Sequence, residues 1–241
     1  MTQRDALFRD PERTGPFAFD EHVARVLPDM LSRSIPGYSA LLELIGVLAR
    51  ETMPENGRVY DLGCSLGAVS LAVLDGALGR NVQVVAVDSS PAMIEALGQI
   101  IQHRPDRGAL DLRCQDVLET QVVGASLVVL NFTLQFVAPA ERDQLILRIA
   151  EGLQPGGVLV LSEKTRPSDP AEASLESLHD GFRRARGYSD LEIARKRKAL
   201  EDVLVPDTSA THRSRLERAG LRPVEWFRGL GFVSWLATKS S

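Results

Sequence analysis

The feature that most limits what this chain can become is a run of short, almost continuously apolar segments, each followed by a turn or a helix-forming stretch. Residues 58–62, 82–87, 110–114, 125–130 and 158–162 read as strands, and 68–74, 91–101 and 138–152 as helices, with Pro91 near the first turn of its helix. A strand that is apolar on both sides needs both faces covered. That demands a mostly parallel sheet with helices above and below it.

The two ends qualify this pattern. Residues 211–219 read as a helix closed by Gly220, and 224–230 and 231–237 as two strands joined by a tight turn. A hairpin cannot be parallel to itself, so one of its strands must run antiparallel to the rest. An α/β sheet of seven strands that is parallel except at this C-terminal pair resembles the Rossmann-like class I methyltransferase fold. Upstream, 1–37 reads as an N-terminal helical extension, with helical pieces around 20–26 broken up by Pro11, Gly15, Pro16 and Pro28. An apolar helix follows through Leu41, Leu42, Leu44, Ile45, Val47 and Leu48 and stops before Pro54 and Gly57. Segment 163–206 is longer than a sheet connection needs and helical in pattern, so it is expected to be an insertion capping the active-site end. All 241 residues are expected to form one domain.

Four strand-end positions carry the chemistry. Val59-Tyr60-Asp61-Leu62-Gly63-Cys64-Ser65-Leu66-Gly67 is a strand, a glycine turn and a helix start. Glycine there permits a sharp turn and close ligand approach, and the helix offers unpaired N–H groups. The spacing lacks the middle glycine of the dinucleotide fingerprint, which disfavours NAD and FAD. Asp88 ends the second strand, where an acidic residue takes the two ribose hydroxyls of an adenosine ligand; Asp88, Ser89 or Ser90 could equally cap the next helix. Asp116-Val117, past the third strand, lies beside the adenine end of such a crevice; the alternative is a solvated loop carboxylate. Asn131 ends the fourth strand with an amide that both donates and accepts; the alternative is a turn asparagine.

Composition excludes several classes. Charged residues make up 25% and the formal net charge is −4, so no global positive field exists to grip a phosphate backbone. The two cysteines, Cys64 and Cys114, and four scattered histidines form no metal-ligating spacing, and no metal is expected. The polar N-terminus reads as no signal peptide, and no apolar run reaches membrane-spanning length, so a cytoplasmic protein without a membrane partner is expected. Cys64 reads as a small packing residue and not a nucleophile, because no histidine stands beside it.

Beyond these motifs, Pro28-Asp29-Met30, Ser34-Ile35-Pro36-Gly37-Tyr38-Ser39, the turn through Gly67, Val87-Asp88-Ser89-Ser90-Pro91-Ala92-Met93-Ile94, Val128–Phe136, Leu161-Ser162-Glu163-Lys164, Gly187–Ile193 and Lys196-Arg197 resemble the carboxy-S-adenosyl-L-methionine synthases over nearly the whole chain. Ser89 departs from the asparagine expected there, though its hydroxyl still offers a hydrogen-bonding group. The resemblance implies a homodimer binding S-adenosylmethionine and its carboxylated product. It implies ligand contacts from Tyr38, Gly63, Cys64, Ser65, Asp88, Ser89, Asp116, Val117 and Asn131, with Arg197 meeting the new carboxylate as the catalytic cation, supplied by the neighbouring subunit. It also implies prephenate as carboxyl donor and a product that feeds a separate tRNA-modifying enzyme. Hydroxide lost from prephenate would deprotonate the activated methyl, and the resulting ylide would capture carbon dioxide, so no protein base is required.

Residue spacing adds that Ile193, Arg197, Leu200 and Leu204 share a helical stripe, with Arg195 and Lys198 turned to solvent. An arginine among leucines either snorkels or pairs with an anion, and its fork suits a carboxylate. The rivals are an ordinary methyltransferase acting on tRNA or a small molecule, and a ligand-binding protein without turnover. The tRNA reading draws on Arg183-Arg184-Ala185-Arg186 and Arg195–Lys198, runs that usually form a solvated face.

Overall fold

A computed structural model describes residues 3–10 and 15–240. Pro11, part of the reading of the N-terminal stretch, lies outside the described residues, as do the first two positions.

Among the described residues, seven strands form one sheet in the order β3-β2-β1-β4-β5-β7-β6. The first four are β1 (Arg58–Leu62), β2 (Gln83–Asp88), β3 (Leu110–Cys114) and β4 (Ala125–Asn131); β5 (Leu153–Lys164), β6 (Leu221–Gly229) and β7 (Phe232–Lys239) follow. Strands β1 to β5 pair in parallel, β7 slots in antiparallel to β5, and β6 pairs antiparallel to β7. The fold is the expected one. Strands β1, β2 and β4 are buried nearly end to end because helices cover both faces, which is what their uninterrupted apolar runs require. Strand β5 starts earlier than its sequence reads: Leu153 already pairs with Ala125, and Pro155-Gly156-Gly157 sits where the register shifts before Val158.

The covering helices are α2 (Tyr38–Thr52), α3 (Ala68–Gly76), α4 (Pro91–Ile101), α5 (Arg142–Gly152) and α8 (Ser209–Arg218). Three more build the cap: α1 (Glu21–Ser34), α6 (Pro170–Ala185) and α7 (Asp190–Leu200). Pro28 does not break α1. It removes one backbone donor, yet Val23, Val26, Leu27 and Met30 bury on a single stripe, with Asp20 capping the start at Val23 N. Helix α7 opens on a reciprocal capping box between Ser189 and Glu192. No helix among the described residues is long and apolar enough to cross a membrane.

Buried Arg142 ties the cap to the sheet. It donates to the carbonyls of Val137, Gln135 and Val205 and to Asp207, so the chain after α7 is fastened to the loop after β4.

Candidate active site

The turn after β1 enters the left-handed backbone region at Gly63 (φ +84°), Ser65 (φ +51°) and Gly67 (φ +77°). A Cβ on Gly63 would lie 2.3 Å from Thr133 Oγ1, so this position needs glycine for both its conformation and its space. The Gly63 and Cys64 N–H groups donate to the Val87 carbonyl at 2.8 and 2.9 Å. Next to it, the Asp88 carboxylate accepts the N–H groups of Ser65 and Ser90, each at 2.9 Å. Burial raises the Asp88 acid above its ordinary range, and these two bonds pull the other way.

Asp61 is buried. It accepts the Ser70 N–H at 3.0 Å and hydroxyl at 2.6 Å, and burial pushes its acid up to about 6 against those bonds. Asp116, past β3, is exposed and accepts Leu118 N–H at 2.8 Å, while neighbouring Val117 is buried. At the end of β4 the Asn131 Oδ1 is buried with no hydrogen-bond partner among the described residues. The following loop is held from below by Glu163 of β5, which accepts the N–H groups of Leu134 (2.7 Å) and Gln135 (3.0 Å). Full burial pushes the Glu163 acid up to about 8, against the pull of those bonds.

These strand ends open into a cavity of about 630 Å³ roofed by α1, α6 and α7. Tyr38, Gly63, Cys64, Ser65, Asp88, Ser89, Asp116, Val117 and Asn131 all line it. Burial pushes the Cys64 thiol up, and the Asp61 and Asp88 carboxylates add to the shift. This thiol is the opposite of an activated nucleophile. Burial also raises the Tyr38 phenol, with Asp61 adding to it.

Arg197 is placed differently from the stripe that spacing predicts. Its side chain is 63% exposed, pairs with Asp180 at 2.7 Å, and lines a neighbouring cavity of about 460 Å³. The buried cation of α7 is Lys196, one residue earlier, whose ammonium donates to Ser34 Oγ at 2.8 Å. Helix α7 ends at Leu200, so Leu204 lies off the stripe, and Arg195 is held by the carbonyls of Phe8 and Arg9 rather than left to solvent. Nor do the basic runs form one solvated face, because Arg183 and Lys196 are buried. With Lys164 and His179 they line the cap end of the large cavity, a ligand role the sequence motifs assigned to none of them. One available signal was that basic residues recur there on consecutive turns of two helices.

The arrangement suits an adenosine-bearing ligand: a carboxylate at the end of β2 for vicinal hydroxyls, an apolar wall with an acidic neighbour after β3, and a buried unpaired amide oxygen at the end of β4. Fold and site together define a Rossmann-like, S-adenosylmethionine-binding protein of the class I methyltransferase type. Residues 60–159 match the methyltransferase domain family. Among solved structures, human N-acetylserotonin methyltransferase in complex with SAM aligns at TM-score 0.61 and 18% identity, covering 92% of this chain and 56% of that one. A putative methyltransferase in complex with the Haloferax volcanii Trm112 activator aligns at TM-score 0.65 and 16% identity, covering 95% and 100%. Carboxy-S-adenosyl-L-methionine synthases are much nearer in sequence. That of Photorhabdus laumondii is 46% identical, covering 99% of this chain and 96% of its own, and that of Marinobacter nauticus is 46% identical, covering 98% and 96%. The chain belongs to the carboxy-S-adenosyl-L-methionine synthase family and is an enzyme, a transferase.

Proposed function

We infer that the enzyme carboxylates the methyl group of S-adenosylmethionine with carbon dioxide released from prephenate, giving phenylpyruvate and water as the other products. Prephenate loses carbon dioxide and hydroxide as its ring becomes aromatic. The hydroxide takes one methyl proton, forming water, and the methyl carbon then bonds to carbon dioxide. Charge and atoms balance without a protein base. That agrees with a cavity whose acids, buried Asp61 and part-buried Asp88, are already engaged by Ser70, Ser65 and Ser90.

The chain's own work is positioning and water exclusion. Asp88 and Ser89 would take the ribose hydroxyls, Asp116 and Val117 the adenine, and Asn131 Oδ1 a donor on the methionine end. Gly63, Cys64 and Ser65 would line the nucleoside and Tyr38 would close the pocket. Arg197, outward-facing and tied to Asp180, is suited to reach a second copy of the chain, and in a cytoplasmic homodimer it would meet the new carboxylate there. The product would supply a separate enzyme that carboxymethylates or oxyacetylates the tRNA wobble uridine.

The observation that carries this reading is the concurrence of the strand-end pocket with likeness to the synthases over 99% of the chain. Mass spectrometry of S-adenosylmethionine incubated with purified protein, with and without prephenate and without RNA, tests it. A prephenate-dependent gain of one carbon dioxide is expected. Unchanged S-adenosylmethionine, with methyl transfer to added tRNA, would favour the ordinary methyltransferase.

A further inference from the structure

The large cavity is electrically divided. Its lining carboxylates, Asp61, Asp88 and Asp116, all stand at the strand ends, whereas Lys164, Arg183 and Lys196 gather under the cap from three separate elements. Few partners answer these cations. The Lys164 ammonium has no hydrogen-bond or ion-pair partner among the described residues; the Lys196 ammonium bonds Ser34 Oγ and lies over the Phe8 and Tyr188 rings. Arg183 shares Asp180 with Arg197, and its buried Nε has no partner among the described residues. Asp180 and exposed Glu176 belong to the neighbouring cavity, and His179, held on the Ser34 carbonyl, is kept neutral by burial. A sulfonium substrate brings another positive charge. Three cations largely withdrawn from water, of which only Arg183 has an ion-pair partner, are unfavourable beside it unless a further anion sits among them.

An aromatic wall leads from the strand ends to this cationic end. Tyr38 packs on Phe132, Phe132 on Phe232 and Phe232 on His179, with ring centroids 6.3, 5.9 and 5.0 Å apart. The wall offers a seat for an apolar ring, and an environment poor in donors favours release of carbon dioxide from a carboxylate. Lys164, His179, Arg183 and Phe232 line both cavities, so the smaller one adjoins this end.

We propose that the cap end of the cavity is the seat of the carboxyl donor, a ring-bearing dicarboxylate whose retained carboxylate is held by Lys164 and Arg183. The carboxylate that departs points along the aromatic wall toward the methyl group. The proposal rests on the synthase reading and assigns the donor residues within it.

Calorimetric titration of prephenate into the full chain saturated with S-adenosylhomocysteine tests the seat. Lys164→Met and Arg183→Met are each expected to weaken prephenate at least tenfold, Arg183→Lys to restore part of the loss, and S-adenosylhomocysteine affinity to change less than threefold. Arg183→Met also strips Asp180 of a partner, so if that variant fails to bind S-adenosylhomocysteine, Lys164→Met decides, because its ammonium has no internal bond to lose. Prephenate bound equally by wild type and Lys164→Met, or not bound by wild type, overturns the seat. Prephenate that binds as expected but yields no carboxylated product overturns the reaction reading and leaves the seat standing.

Discussion

The Asp88 carboxylate accepts the Ser65 N–H at 2.9 Å, which locks the end of β2 to the turn after β1. The same carboxylate bonds Ser90 N–H, so its orientation is fixed before any ligand arrives. Asp88→Ala removes both the acceptor for the ribose hydroxyls and this brace. S-adenosylmethionine affinity should fall by about 2–3 kcal/mol, roughly thirtyfold or more, as befits lost bonds to a charged group. Calorimetry on the variant, with circular dichroism to verify folding, checks it; affinity within threefold of wild type would remove Asp88 from the site.

Gly63→Ala tests the turn itself. Its φ of +84° disfavours any Cβ, and the new methyl would meet Thr133 Oγ1 at 2.3 Å. The expected cost is about 2–5 kcal/mol, combining a backbone term of about 1–2 with an overpacking term of about 1–3. Thermal unfolding reads the loss directly. Ligand affinity should fall with it, because Thr133 lines the cavity and would be displaced.

How much of this was legible in the sequence differs between sheet and cap. The parallel strands announce themselves because burial on both faces forces an unbroken apolar run, as in 125–130. The glycine turn is legible because a left-handed backbone and close packing both exclude a side chain at Gly63 and Gly67. The cap is not. Ile193 has Lys196 three residues on and Arg197 four residues on, and both spacings fit one helical face. Contacts from distant segments choose between them: Ser34 receives Lys196 from 162 positions away, and Asp180 draws Arg197 outward. Helix α1 hides likewise, since packing of Val23, Val26, Leu27 and Met30 outweighs the break that Pro28 suggests.

Arg197 separates stability from activity. Its ion pair with Asp180 is largely exposed, so Arg197→Leu should change stability by less than about 1 kcal/mol. Carboxylation should fall about tenfold to a hundredfold, within the range for losing one charged contact to a reacting group. If the residue acts across a dimer, mixing Arg197→Leu with an Asp88→Ala chain should restore activity, since one composite site would be intact. No recovery, with mixed dimers shown by mass, would place its action within its own chain.

Glu163 and Lys196 give the fold a pH signature with opposite signs in adjoining windows. Burial raises the Glu163 acid from 4.5 to about 8, so the folded chain holds a proton that the unfolded chain releases. That contribution to stability is full below pH 4.5 and is lost as pH climbs through about 8. Burial lowers the Lys196 ammonium from 10.5 to about 8, so above that pH the unfolded chain holds the extra proton and stability recovers up to pH 10.5. Asp61, raised from 3.8 to about 6, adds to the fall on the acid side, but His179 and His212, each lowered by burial from 6.5 to about 4, contribute the opposite slope below pH 6.5. The raised Cys64 thiol likewise opposes Lys196 above about pH 9. A series of denaturant midpoints should therefore fall between about pH 6.5 and 8 and rise between about 8 and 9. Glu163→Gln should flatten the falling limb above pH 6, where Asp61 no longer contributes, at a cost of about 1–3 kcal/mol at neutral pH, because one of the Leu134 and Gln135 N–H groups then faces an amide NH₂. Lys196→Met should flatten only the rising limb and leave the chain more stable near pH 7, since it removes a desolvated charge held by a Ser34 hydrogen bond and the Phe8 and Tyr188 rings, with no ion pair among the described residues. A rising limb that survives in Lys196→Met would assign it to another group.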